Sequence, residues 1–149
     1  MQFINFRPPR IGMLFATIAA TAHRFLAVWD NYIYSFPVAG VILGLTGFSI
    51  MIWAWFLFKK SNVAICPTAH TSRLLTSGVY RFSRNPMYLG MVSMLLGLAL
   101  LIGSPPFYLA AVCYFVVLDF VFCPYEESKL LKTFGREFSD YRARVRRWL

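Results

Sequence analysis

The side chains able to do chemistry gather in two short segments. Residues 76–90 read TSGVYRFSRNPMYLG and hold Tyr80, Arg81, Arg84, an Asn85-Pro86 step and Tyr88. Residues 125–149 read YEESKLLKTFGREFSDYRARVRRWL and begin with the adjacent acids Glu126 and Glu127. Asn followed by Pro is a good helix start, with Asn at the N-cap and Pro at the first helical position. That role needs no ligand, yet such a start also turns free N–H groups and a positive dipole end toward the loop, where an anion can dock. Glu126 and Glu127, just after Pro124, suit a first helical turn, where acids gain about 0.3–1 kcal/mol. They equally suit hydrogen bonds to a ribose or an amine, or the balancing of a bound cation. Tyr80 and Tyr88 fit a membrane interface, and also stacking on an adenine or facing a sulfonium. Arg81 and Arg84 serve either as topology signals or as partners of a carboxylate or phosphate. Asp119 lies inside an apolar stretch, where an ionisable residue is costly and faces a cavity or a partner. A loop arginine is its expected partner, unless it is protonated.

The elements that must carry these residues belong to a membrane protein. Hydrophobic residues make up 58% of the 149 and charged residues only 14%, against about a quarter charged in soluble domains. Four stretches approach the roughly 20 apolar residues that a span requires: 11–29, 36–58, 86–103 and 106–123. The last two, joined at Ser104-Pro105, read as a tight hairpin whose ends share one membrane face. Lys59, Lys60, Arg73, Arg81 and Arg84 precede the hairpin, and seven cations from Lys129 to Arg147 follow it. By the positive-inside rule both basic segments are cytoplasmic. Arg7 and Arg10 put the N-terminus there too if the first stretch crosses, with Trp29, Tyr32 and Tyr34 at the far interface. The net charge of +9 then reports topology and attraction to anionic lipid rather than nucleic-acid binding.

Residues 124–145 place Leu130, Phe134, Phe138, Tyr141 and Val145 on one helical face, with cations on the rest. Gly135, about 1 kcal/mol worse than Ala in a helix, is where that helix would bend or break. Gly40, Gly44 and Gly47 read as a close-packing face. The first apolar run lacks a signal-cleavage pattern. His23 and His70 have no metal partners at useful spacing, and Cys66, Cys113 and Cys123 form neither a zinc motif nor a disulfide framework. The expected architecture is thus a single all-α integral membrane domain. It comprises an N-terminal helix pair (1–58), a cytoplasmic loop (59–85), the hairpin (86–123), and a C-terminal amphipathic helix and tail (124–149). About four transmembrane helices are expected in all, with the amphipathic helix cytoplasmic. Oligomeric state is not legible.

Taken together, the two segments and the hairpin between them resemble the isoprenylcysteine carboxyl methyltransferase family, including its bacterial members, and more loosely the phospholipid methyltransferases. The resemblance covers residues 66–149. It implies an inner-membrane enzyme that uses S-adenosylmethionine at the cytoplasmic edge and methylates a lipophilic or lipid acceptor by in-line displacement. Carried over by motif, Arg73, Leu74, Leu75, Tyr80, Asn85, Pro86, Met87, Tyr88 and Glu126 would line the cofactor. Glu127 or Asp119 would be the base if the acceptor needs one. Three positions depart from the eukaryotic pattern: Asn85 replaces a His, Phe122 an Arg associated with substrate, and Val145-Arg146-Arg147 a Val-Pro-Arg. These departures weigh against prenylcysteine as the acceptor. The rival readings are an NADPH-dependent reductase related to sterol reductases, which share a similar C-terminal pattern, and a scaffold that has kept the fold without the chemistry.

Overall fold

The computed structural model describes residues 8–25, 35–60 and 74–149, and every regular element among them is helical. Trp29, Tyr32, Tyr34, Cys66, His70 and Arg73 lie outside the described residues. The helices are α1 (Pro8–Phe25), α2 (Pro37–Lys60), a short 3₁₀ turn (Gly78–Arg81), α3 (Pro86–Ile102) and α4 (Pro105–Val117). A π-helical turn (Leu118–Phe122) leads into α5 (Cys123–Phe134), and α6 (Arg136–Arg144) follows.

Helix α2 and the continuous helix Pro105–Phe134 are long and apolar enough to cross a membrane; α3 is apolar but shorter. Only Gly40, Gly47 and Ala54 are buried along α2. Their seven-residue spacing makes a narrow seam, while Val38, Ile42, Leu45, Trp53 and Phe56 remain exposed, as suits a lipid-facing helix. The seam packs on α3 backbone to backbone. A methyl added at Gly40 would lie 2.7 Å from the Gly97 carbonyl oxygen, and one at Gly47 would lie 2.7 Å from that of Gly90. The reversed order of these pairs makes the two helices antiparallel. Small residues permit this approach, and dispersion between the backbones supplies the attraction that lipid does not. At the far end the α2 entry is stitched to the α3 exit, with Phe36 N donating to Leu100 O at 2.8 Å and Ser35 Oγ to Leu101 O at 3.0 Å.

The hairpin turn falls at Gly103-Ser104, one residue earlier than the sequence suggests. Gly103 (φ 70°) takes the left-handed cap position, and Pro105 already belongs to α4. Ser104 Oγ lies 2.9 Å from His23 Nδ1, which ties the end of α1 to the turn. Tyr114, 1% exposed, closes the other end of that contact by donating its hydroxyl to Pro8 O at 3.0 Å.

A larger difference follows Val117. The fourth apolar stretch was expected to end at Cys123, but the helix runs on through Pro124. Proline in a helix interior removes a backbone bond and clashes with the carbonyl four residues back; widening the preceding turn to a π-helix relieves the clash. Glu126 and Glu127 therefore do not sit at a free helix N-terminus, and the dipole argument for them lapses. The chain turns instead at Gly135 (φ 50°), where α5 gives way to α6. The five apolar residues expected on one face do gather, around Leu74, but from two helices and the tail.

Candidate functional site

The candidate residues meet at the end of the bundle that holds the α2 C-terminus, the α3 N-terminus and α5. Three segments build this edge. The loop before α3 supplies Tyr80, Arg84 and Asn85; the first turn of α3 supplies Met87 and Tyr88; and α5 supplies Glu126 and Glu127. Tyr88 is 7% exposed, and its hydroxyl donates to Glu126 Oε1, joining the two sequence segments directly. Tyr80 is equally buried, and its ring meets Phe58 edge-on at 5.6 Å. The Tyr80 carbonyl accepts from the Tyr141 hydroxyl at 2.7 Å, so α6 is held against the loop. Met87 and Leu75 pack with Val79 and Tyr80, whereas Leu74 joins Phe138 and Tyr141 in a separate cluster. Leu74 and Leu75 thus point into two different apolar groups.

Asn85 occupies the N-cap position of α3, with Pro86 at the first helical position, but its side chain makes no capping bond. Asn85 Nδ2 donates instead to the Arg147 carbonyl at 3.4 Å, and Ser83 Oγ donates to the same oxygen at 3.1 Å. Arg84 N donates to Arg146 O at 3.0 Å. The tail after α6 is therefore laid across the loop before α3.

The Arg147 side chain secures this crossing. Its Nε and Nη2 donate to Glu127 Oε1 and Oε2 at 3.0 and 3.2 Å, a bidentate pair, and its Nη1 donates to Asp119 Oδ1 at 2.9 Å. Trp148 Nε1 donates to the same Asp119 oxygen at 3.0 Å, and the Trp148 ring lies 4.9 Å from that of Phe115. Asp119 thus pairs with a tail arginine rather than with the expected loop arginine. Glu127, 7% exposed, also receives Arg84 Nη2 at 3.2 Å.

Proton affinities follow from burial and these partners. Hydrogen bonds to Glu127 and Asp119 push the Arg147 guanidinium above its ordinary value against the opposing effect of burial. Burial pulls Arg84 down, with Glu127 opposing. Burial raises the Tyr80 hydroxyl and takes Tyr141 to about 12. Both tyrosines consequently remain donors and both arginines remain cations at neutral pH.

Arg147, Trp148, Ser83 and Tyr141 were not singled out from sequence as parts of the site. Arg147 looked like one of several topology-setting cations, and Tyr141 like part of an apolar helical face. Among the described residues no group of three or more His, Cys, Asp or Glu could hold a metal. The edge thus holds a partly buried phenol–carboxylate pair near the apolar cluster of Tyr80 and Met87.

Comparison with known proteins agrees with the motif-level resemblance. Residues 36–137 match the model of the phospholipid methyltransferase family. Over 76 residues the chain is 37% identical to a probable protein-S-isoprenylcysteine O-methyltransferase from Oryza sativa subsp. indica, covering 49% of this chain and 38% of that protein. It is 34% identical to protein-S-isoprenylcysteine O-methyltransferase B of Arabidopsis thaliana over 76 residues, 49% of this chain and 37% of the relative. The chain thus spans less than two-fifths of the curated relatives it matches. No solved structure matches. A family match across most of the chain, including both the start of α3 that carries Tyr88 and the helix that carries Glu126, places this protein in the phospholipid methyltransferase family.

Proposed function

We propose that this protein is a membrane methyltransferase that binds S-adenosylmethionine at the polar edge of the bundle and methylates a lipophilic acceptor. The Tyr88–Glu126 contact carries the reading, because it unites the two family segments in one partly buried polar pair. When bound, S-adenosylmethionine supplies a methyl group on a sulfonium, already activated for displacement. The protein's own task is then alignment and exclusion of water, which can contribute several kcal/mol to a bimolecular transfer.

Tyr88 holds Glu126 in place, and Glu126 offers its carboxylate to a hydroxyl or amine of the donor. Tyr80, Met87 and the Asn85-Pro86 step form the wall beside it, with Arg73, Leu74 and Leu75 as the remaining proposed cofactor-binding positions. The acceptor, a lipid or other lipophilic molecule, arrives from the bilayer, and the donor from the cytoplasmic side. Glu127 and Asp119 are the residues available as base. Arg147 holds both Glu127 oxygens, and Arg147 and Trp148 both bond Asp119 Oδ1. That engagement favours an acceptor that is already a nucleophile, such as a carboxylate or thiolate, over an amine or hydroxyl that must lose a proton.

Calorimetric titration with S-adenosylhomocysteine tests the assignment. Wild-type protein is expected to bind it and to give no binding heat with NADPH. Tyr88→Phe and Glu126→Gln should each weaken binding about tenfold, the worth of one hydrogen bond to a charged group. Unchanged affinity in both variants would remove these residues from the site, and binding of NADPH alone would favour the reductase reading.

A further inference from the structure

Arg84 has no task in the transfer described above, yet its situation is unusual. Its side chain is 10% exposed and touches one acceptor, Glu127 Oε1, through Nη2 at 3.2 Å. The same oxygen accepts from Arg147 Nε at 3.0 Å, so two guanidiniums share it. Arg84 Nε and Nη1 are buried and find no acceptor among the described residues. A guanidinium carries five N–H donors in a rigid fork matched to carboxylate or phosphate, and buried donors without partners are costly and rare. Arg142 and Arg147 add to the positive potential around it. The neighbouring donors are already used, since Arg84 N, Ser83 Oγ and Asn85 Nδ2 all bond tail carbonyls. What remains for an incoming anion is the Arg84 guanidinium. Both nitrogens are shielded from solvent, and a ligand carboxylate would satisfy them.

We infer that Arg84 receives a ligand carboxylate, and, on the methyl-donor reading on which this rests, that it is the carboxylate at the amino-acid end of the donor. Arg84 directly precedes the Asn85-Pro86 step, and its acidic partner Glu127 adjoins Glu126, so the free donors sit at the same edge as the Tyr88–Glu126 pair. Arg84 lies beneath the tail, its N–H bonded to the Arg146 carbonyl, whereas a lipophilic acceptor would approach along the exposed apolar faces of α2 and α4. This favours the donor over the acceptor as the source of the carboxylate.

Paired titrations separate the outcomes. S-Adenosylhomocysteine and 5′-methylthioadenosine share a nucleoside and a thioether, but only the first has the amino-acid end. Arg84→Gln is expected to weaken S-adenosylhomocysteine about 30-fold while leaving 5′-methylthioadenosine unchanged, the loss of one charge-assisted contact. Arg84→Lys, which keeps a cation for Glu127 and hence the fold, should show the same selectivity at about tenfold because it lacks the fork. Equal losses for both ligands, or no loss for either, would overturn the assignment. Lauric acid serves as the acceptor arm: weakened laurate binding with S-adenosylhomocysteine unaffected would move the carboxylate to the acceptor and overturn the donor version. Failure of wild-type protein to bind either nucleoside would instead overturn the methyl-donor reading beneath it.

Discussion

At the scale of single residues, Arg147 joins segments that are otherwise far apart in the chain: the π turn through Asp119, α5 through Glu127, and the loop before α3 through its own carbonyl. Its side chain is 29% exposed and that of Glu127 8%, so solvent weakens the pair without cancelling it. Arg147→Ala is expected to destabilise the protein by about 2 kcal/mol, below the range for breaking a fully buried pair because of that exposure. Arg147→Lys should recover part of the loss, since one ammonium cannot reproduce a fork spanning two carboxylates. Thermal unfolding in detergent measures both; an Arg147→Ala midpoint equal to wild type would show that the backbone bonds of the tail suffice. Adjacent acids on a helix project about 100° apart, which is why Glu126 faces Tyr88 while Glu127 faces the arginines. From sequence the doublet was visible as chemistry, but not its division of labour. Nothing local to Arg147 marks it as the partner of acids 20 and 28 residues away.

At the scale of elements, the contact between α2 and α3 makes a sharp prediction. Gly47→Ala would place a methyl 2.7 Å from both the Gly90 carbonyl oxygen and Ser93 Cβ, whereas a methyl at Gly44 meets nothing within 4 Å. Gly47→Ala should therefore cost about 1–3 kcal/mol, the usual penalty for overpacking, while Gly44→Ala should be neutral or stabilising. Detergent-resistant folding by circular dichroism distinguishes them, and equal behaviour would mean that the helices do not pack through this seam. The glycines were legible as a packing face; which of them leave no room for a side chain was not, because a spacing of four drifts around a helix while the seam keeps a spacing of seven. Pro124 misled more. Proline just before acids reads as a helix start, and only the widened turn at Leu118–Phe122 lets the helix continue through it. Gly135 was read correctly as the weak point, for the ordinary reason that its backbone takes a positive φ.

At the scale of the whole molecule, an apolar bundle carries a cap of polar and basic residues at one end. Composition and apolar runs were enough to anticipate the helices, because lipid forces backbone groups to be satisfied within each segment. They were not enough to anticipate the cap, whose order depends on the tail returning over the loop before α3. That return gathers Tyr80, Arg84, Tyr88 and Glu126 at one edge. The proposal that this edge serves methyl transfer is tested most directly with purified, reconstituted protein, methyl-labelled S-adenosylmethionine and native membrane lipid extract. The account predicts label in the lipid-soluble product, reduced at least tenfold by Glu126→Gln. Label that stays in the aqueous phase with wild-type protein across such extracts, despite measured binding of the donor, would contradict it.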